Sequence, residues 1–435
     1  MSTITAAAPP VNSPSRVLLA SLIGTTIEFF DFYIYATAAV LVFPHLFFPE
    51  SSDQAALLQS LATFAVAFIA RPVGSAVFGH FGDRIGRKAT LVAALLTMGL
   101  STVAIGLLPT HAQIGLWAPA LLALCRFGQG LGLGGEGGGA VLLATENAPP
   151  GKRAWYGMFP QLGAPLGFLL SAGIFLLLGR CLGQQDFLQW GWRIPFVASA
   201  LLVGLGLWVR LNIHETPDFQ QALERKAPVR LPMWTVLRDH WLPMLLGTLG
   251  TLGAFATFVL FYLMTVFSLG HGTAVLGYSR EQFLLMQMGA MLFFAAGIPL
   301  SARYGDRWGT RRTMIFASLL ILAFGVLFAP LFQAHSPWLV LSFLCLGLFL
   351  MGLTYGPCGT FLAEIYPVEV RYTGASLSFN LAGILGAAPA PYLATWLAER
   401  FGLVAVGYYL CLTAVATLCA LLALQRRTQL SQRNA

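Results

Sequence analysis

The sequence predicts an all-α membrane protein of twelve transmembrane helices in two pseudo-symmetric six-helix bundles, and three observations carry that prediction. The first is a duplication. Gly82-Asp83-Arg84-Ile85-Gly86-Arg87-Lys88 returns as Gly305-Asp306-Arg307-Trp308-Gly309-Thr310-Arg311, and Glu146-x-x-Pro149-x-x-x-Arg153 returns as Glu364-x-x-Pro367-x-x-x-Arg371. Charged turns repeated at offsets of 223 and 218 residues, between apolar runs, mark two tandem membrane bundles. The second is composition: 57% hydrophobic and 10% charged residues, with a mean hydropathy of +0.74, against roughly 25% charged in a soluble domain. That balance excludes a typical water-soluble enzyme. The third is the number of apolar stretches of about 20 residues, the length that crosses a bilayer, which is twelve.

Taken along the chain, these spans fall near 17–43, 55–81, 89–109, 115–146, 155–179, 190–211, 241–268, 281–303, 313–332, 337–365, 374–398 and 402–425. Residues 1–16 read as a cytoplasmic tail that is retained, because they lack the charged start, short apolar core and cleavage site of a secretory signal. Spans one to six form a bundle over 17–211. The polar stretch 212–240, with Pro217, Pro228 and Pro232, is a cytoplasmic linker; 241–425 is the second bundle and 426–435 a cytoplasmic tail.

Orientation follows from Lys and Arg. With both termini cytoplasmic, 19 of the 25 basic residues fall on the inner side and four (Arg180, Arg193, Arg280 and Arg400) on the outer, the bias expected of cytoplasmic loops. All ten Trp residues lie at or near span ends, as interfacial anchors do. The net charge of +8 is spread over short turns with no basic stripe, which excludes nucleic-acid binding. Six cysteines without metal or CxxC spacing read as buried small hydrophobes.

Two basic residues, Arg71 and Arg126, and three carboxylates, Glu28, Asp31 and Glu136, fall inside spans of the first half. A charge at the bilayer centre costs on the order of 3 kcal/mol, so these five must face one another or a wet cavity. At about 1.5 Å per residue, Asp31 and Arg126 both sit roughly 17 Å from the outer ends of their spans, which makes an ion pair between them plausible. Arg71, Glu136 and Glu28 lie at one level nearer the inside. Glu28 and Asp31, at i and i+3, share a helix face, so the two levels merge into one polar seam. Its five groups sum to minus one, and one carboxylate is a natural proton carrier.

Glycines from Gly128 to Gly139 include a G-x-G-x-x-G match at Gly132, Gly134 and Gly137. A dinucleotide site needs a preceding strand; inside an apolar run, glycines instead let helices approach closely, and here they leave room around Glu136. The second half carries almost no embedded charge. It offers Phe258, Tyr262, Gln287, Tyr355 and Asn380 at mid-span as substrate contacts. Asp83 and Asp306, at helix ends, are placed to accept from a helix N-terminus and pair with Arg, closing the inner mouth, with Glu146–Arg153 and Glu364–Arg371 extending that network.

Gly79-x-x-x-Asp83-Arg84-x-Gly86-Arg87-Lys88 resembles the signature of the major facilitator superfamily over nearly the whole chain. Ile27-Glu28-Phe29-Phe30-Asp31-Phe32-Tyr33-Ile34-Tyr35, Arg71-Pro72, Arg126-Phe127-x-Gln129-Gly130, Pro160-Gln161-Leu162-Gly163 and Trp190-Gly191-Trp192-Arg193-Ile194-Pro195-Phe196 are similar to the metabolite:proton symporter family. The resemblance implies the major facilitator fold, alternating access and proton-driven uptake. It makes Gly79, Asp83, Arg84, Gly86, Arg87, Lys88, Glu146, Arg153, Asp306, Arg307, Gly309, Glu364 and Arg371 gate residues. Glu28, Asp31, Arg71, Arg126 and Glu136 become proton-coupling residues, and Arg126, Tyr33, Tyr262, Gln287, Tyr355 and Asn380 substrate contacts. Two departures stand out: Gly137 replaces a bulky Trp usual in relatives, which enlarges the pocket, and Thr310 replaces an Arg opposite Arg87, which weakens the second gate.

The expectation is a monomeric, cofactor-free symporter of a small organic acid in the bacterial inner membrane. It would be driven by the proton gradient, its partners being substrate, protons and the lipid bilayer, with no metal. A zwitterionic osmolyte such as proline or betaine, and proton antiport of drugs or toxic acids, are the alternatives. In the expected cycle a proton on Asp31 releases Arg126 to take a substrate carboxylate.

Overall fold

The computed structural model describes residues 13–212, 232–250, 253–333, 336–387 and 389–433; most of the linker expected at 212–240, and the start of the N-terminal tail, lie outside them. The first six spans are single helices: α1 Pro14–Leu41, α2 Asp53–Arg84, α3 Arg87–Leu107, α4 Trp117–Glu146, α5 Arg153–Cys181 and α6 Arg193–Leu211. In the second half, α7 comprises Trp241–Gly250 and Gly253–Tyr262 and runs through a π-helical turn, Leu263–Phe267, into Ser268–Ala274. Then come α8 Arg280–Trp308, α9 Thr310–Phe332, α10 Pro337–Ile365, α11 (Arg371–Ala387 with Ala390–Phe401) and α12 Leu403–Arg433.

Among the described residues eleven helical stretches are long and apolar enough to cross a membrane by length and composition. The twelfth, α4, falls short because its glycines, Arg126, Gln129 and Glu136 dilute it. Local chemistry sets the boundaries. Ser13, Ser52 and Ser279 side chains accept from the amides of Arg16, Ala55 and Gln282, satisfying donors that a helix start leaves unpaired. Gly86 and Gly309, in the two motif copies, hold φ of 125° and 91°, a conformation only glycine adopts without strain. Gly309 lets one helix end and the next begin within a single residue, and Gly86 with Ile85 does so within two.

Within the first bundle α1 packs on α5, α2 on α4, and α3 on α4 and α6; in the second α8 packs on α10, and α9 on α10 and α12. The bundles meet through α2 against α11 and α5 against α8, pairings related by the duplication, and α10 adds contacts to α4 and α5. Two expectations are corrected here. Trp192 is fully buried beside Phe43, Phe47 and Phe196, because the π-helical turn Phe187–Gly191 folds it inward, away from the interface that other tryptophans reach. Cys181 and Cys419 are exposed on the outer faces of their helices, where a small apolar side chain costs nothing against lipid; Cys358 alone is buried.

Candidate functional site

Asp31, 1% exposed on α1, is held by two hydroxyls: Ser199 of α6 donates to its Oδ1 at 2.6 Å and Thr102 of α3 to its Oδ2 at 2.7 Å. The expected Asp31–Arg126 ion pair is not formed. Arg126 Nη1 donates instead to Gln129 Oε1 at 2.9 Å, and Gln129 Nε2 donates to Thr102 Oγ1 at 2.8 Å, so a neutral amide and a hydroxyl stand between the two charges. The guanidinium carbon sits 4.1 Å from the Tyr35 ring centre and 4.7 Å from that of Phe64. Those π faces offset part of its charge but accept no N–H bond in the plane of the fork. Arg126 Nε and Nη2 consequently lack a hydrogen-bond partner among the described residues, though the side chain is fully buried. A buried cation so arranged is poised to take an anion.

Toward the end that carries both motif copies, hereafter the motif end, a second set of charges pairs off. Arg71 Nη2 is 3.8 Å from Glu28 Oε1, too long for a hydrogen bond, and Glu28 Oε2 has no partner among the described residues. Glu136 is paired with Arg210. The sequence reading placed Arg210 on the cytoplasmic side as a topology charge. It is buried in the last turn of α6, with Nη1 donating to the Leu91 carbonyl at 2.7 Å, so its head turns back into the seam. Gly24 makes the space, since a Cβ there would overlap Arg210. The seam thus holds six charged groups and sums to zero, where the sequence reading counted five and minus one.

A small cavity of ≈ 20 Å³ lies between the bundles, lined by Glu28, Gln161 and Gly137 from the first and Tyr355, Gly359 and Phe379 from the second. Gly137 opens onto it: a Cβ there would meet only the Phe379 ring, at 3.8 Å. Tyr33, Tyr262 and Tyr355, from α1, α7 and α10, lie within the electrostatic reach of Arg71. Two other candidates are braces instead. Gln287 Nε2 donates to the carbonyls of Met264 and Thr265 at 2.9 and 2.7 Å, within the π-helical turn of α7. Asn380 Nδ2 donates to Ser75 Oγ at 2.7 Å and the Ser376 carbonyl at 2.9 Å, tying α11 to α2.

At the motif end each Asp caps a helix of the other bundle. Asp83 accepts from Tyr372 and Thr373 amides at 3.1 and 3.0 Å and from the Thr373 hydroxyl at 2.8 Å; Asp306 accepts from Ala154 and Trp155 amides at 2.8 and 3.0 Å. Gly79 permits the approach, since a Cβ there would lie 2.8 Å from Thr373 Oγ1. Buried Arg87 joins Asp83 at 3.3 Å to Glu146 at 3.4 Å. The contacts seen are exchanged relative to the expected Glu146–Arg153 and Glu364–Arg371 pairs. Glu146 bonds Arg371 at 3.2 Å, and Glu364 accepts from Thr310 at 2.7 Å while facing Arg153 and Arg311. The reason is geometric: the helices bearing each motif pair meet across the bundle interface. Arg84 and Arg307 are exposed and Lys88 reaches the Leu211 carbonyl of its own bundle, so these three stand outside the interface.

This arrangement closes the motif end, and one substitution tests it. Asp83→Asn loses charge-assisted bonds of about 1.5–3 kcal/mol, so a Leu362→Cys reporter beside the cavity, in a cysteine-free background, is expected to label from the motif end on the order of ten-fold faster or more. An unchanged labelling rate would show that Asp83 is no latch.

Two helical bundles that meet over a cavity and a closed mouth, the first of them holding a neutralised charged seam, define a membrane transporter. The profile of the family "Sugar (and other) transporter" matches residues 17–228, and that of the "Major Facilitator Superfamily" matches 272–435. The inner membrane metabolite transport protein YhjE of Escherichia coli K12 is 58% identical over 95% of this chain and 94% of its own. The shikimate transporter of the same organism is 35% identical over 89% and 88%. The proton:xylose symporter XylE bound to 6-bromo-6-deoxy-D-glucose shares the fold, with a TM-score of 0.77 at 19% identity over 95% of both chains. The chain belongs to the major facilitator superfamily, among its metabolite transport proteins.

Proposed function

We propose that this chain is a proton-coupled symporter that takes up a small organic acid, of mono- or dicarboxylate type, by alternating access. The observation that carries the reading is Arg126, fully buried, with two of its three nitrogens lacking a partner among the described residues and no carboxylate against it. Such a fork binds a carboxylate by two parallel charge-assisted bonds. Tyr33, Tyr262 and Tyr355 supply neutral donors toward the rest of the substrate, and the opening at Gly137 sets its bulk.

Charge balance supplies the coupling. The empty seam, with Glu28, Asp31 and Glu136 against Arg71, Arg126 and Arg210, is neutral. One proton on Asp31 together with one anion on Arg126 leaves it neutral again, whereas either alone leaves a net charge that is costly to carry through a low-dielectric interior. Only the empty and the doubly loaded forms then reorient easily. The motif end faces the cytoplasm, as do both termini, in a bacterial inner membrane; the protein acts as a monomer, with the proton gradient as driving force and no cofactor. The names of the metabolite and shikimate transporters support a small-molecule substrate of this kind.

The test is external pH in lightly buffered, energy-depleted cells expressing the protein, on addition of succinate, shikimate, acetate, proline or glycine betaine, with Asp31→Asn as control. Alkalinisation by the acids, absent in the control, is expected. Alkalinisation by proline or betaine alone would move the substrate class to zwitterions, acidification would mean antiport, and silence throughout would overturn the reading.

A further inference from the structure

Asp31 and Arg126 are joined by a directional chain of hydrogen bonds, each of whose members is at most 1% exposed. Its direction is fixed by chemistry. Arginine only donates, so the Gln129 carbonyl must face Arg126 and the Gln129 amide must donate onward to Thr102. Thr102 has one hydroxyl proton and two acceptors within reach, Asp31 Oδ2 at 2.7 Å and the Met98 carbonyl at 3.0 Å. With Asp31 ionised, the charged acceptor takes that proton. With Asp31 protonated, its own O–H donates to the free lone pair of Thr102, and the Thr102 hydroxyl turns to Met98. Ser199, on the other carboxylate oxygen, has no such second acceptor among the described residues, which places the added proton on Oδ2.

We propose that Thr102 and Gln129 are positioning residues that carry the charge state of Asp31 to Arg126, so that proton binding and anion binding favour each other. This rests on the symporter reading above. In the ionised state the bonds polarise toward Asp31 and its charge is felt, through the amide, at the Arg126 fork. The rotation of Thr102 ends that polarisation and leaves the fork uncompensated beside the Tyr35 and Phe64 rings. Glu136 reaches Asp31, and Tyr35, Arg71 and Tyr262 reach Arg126, through space alone. Arg87, Lys88, Arg193 and Arg210 stand at the ends of α3 and α6, and Glu28 with Arg71 and Glu136 with Arg210 are occupied with one another at the motif-end level. From α5, packed on α1, the charged residues are the terminal Arg153 and Arg180, and α2 presents Arg71 alone near this level.

The experiment is pH-difference infrared spectroscopy of the full chain reconstituted in liposomes, without substrate, with isotope-labelled arginine. Asp31→Asn identifies the carboxyl band and Arg126→Lys the guanidinium band. In the native protein both bands are expected to change in one pH step. In Thr102→Val and in Gln129→Leu the carboxyl band still titrates and the guanidinium change is lost; Thr102→Ser restores it. A guanidinium change that persists in both variants, or native bands that move in separate steps or not at all, overturns the relay. Since the readout involves no transport, a broken relay with symport intact, or symport absent with the relay intact, tells the two failures apart.

Discussion

Arg126→Gln is expected to weaken substrate binding by about 2–5 kcal/mol, on the order of 30- to 3,000-fold in KM, measured as initial uptake into proteoliposomes over a substrate series. The side chain is fully buried and would supply the one bidentate contact to the anion, so its loss leaves a desolvated carboxylate facing a neutral amide. Arg126→Lys keeps the charge but loses the planar fork, and should fall between the two. Stability should move little, or rise, because a neutral side chain is cheaper to bury in the box of Tyr35 and Phe64 than a guanidinium lacking a counterion. Thermal unfolding of the same preparations separates the effects. An unchanged KM in a well-folded Arg126→Gln protein would remove Arg126 from the binding site.

Asp31→Asn should uncouple transport without stopping it. An electroneutral symport of one proton with one monoanion accumulates substrate about ten-fold per unit of pH difference, since each unit is worth about 1.4 kcal/mol. Asparagine keeps the volume, accepting from one of the two hydroxyls and donating to the other, but it carries no titratable proton. Accumulation driven by an acid exterior should therefore fall to a ratio of about one, while exchange of labelled for unlabelled substrate across the membrane continues. If the variant still concentrates substrate, the proton travels on Glu28 or Glu136.

The fold was readable because membrane insertion makes severe, local demands. Twenty apolar residues per crossing, charges in the turns and a duplicated motif leave few arrangements open, and Gly86 and Gly309 mark where helices must turn. The membrane-embedded charges were readable for the same reason: Glu28, Asp31, Arg71, Arg126 and Glu136 stand out against an apolar background. Their partners did not stand out. Thr102, Ser199 and Gln129 are neutral and ordinary in transmembrane helices, and nothing in a linear sequence says which face of α3 or α6 turns toward Asp31. Arg210 was missed because it lies one residue from the end of its helix, where depth arithmetic and topology both assign it to the surface; only the gap over Gly24 lets its long side chain reach back. The exchanged gate pairs were hidden by the duplication itself, which suggests partners within a repeat when the helices meet between repeats.

The glycine run of α4 has a consequence in the language of genetics. Of the eight glycines from Gly128 to Gly139, seven have a neighbouring atom closer than 3.0 Å to where a side chain would begin, and Gly137 alone opens onto free space. Missense changes at Gly130, Gly132 and Gly134, which abut backbone, should therefore read as null alleles whatever residue they introduce, and suppressors of changes at Gly130 and Gly135 should map to abutting side chains such as Ala70 and Phe78. Codon 137 should behave differently, giving alleles that keep the protein in the membrane and alter what it accepts, so that a random screen for changed growth substrates would find its hits there, surrounded on both sides by silence.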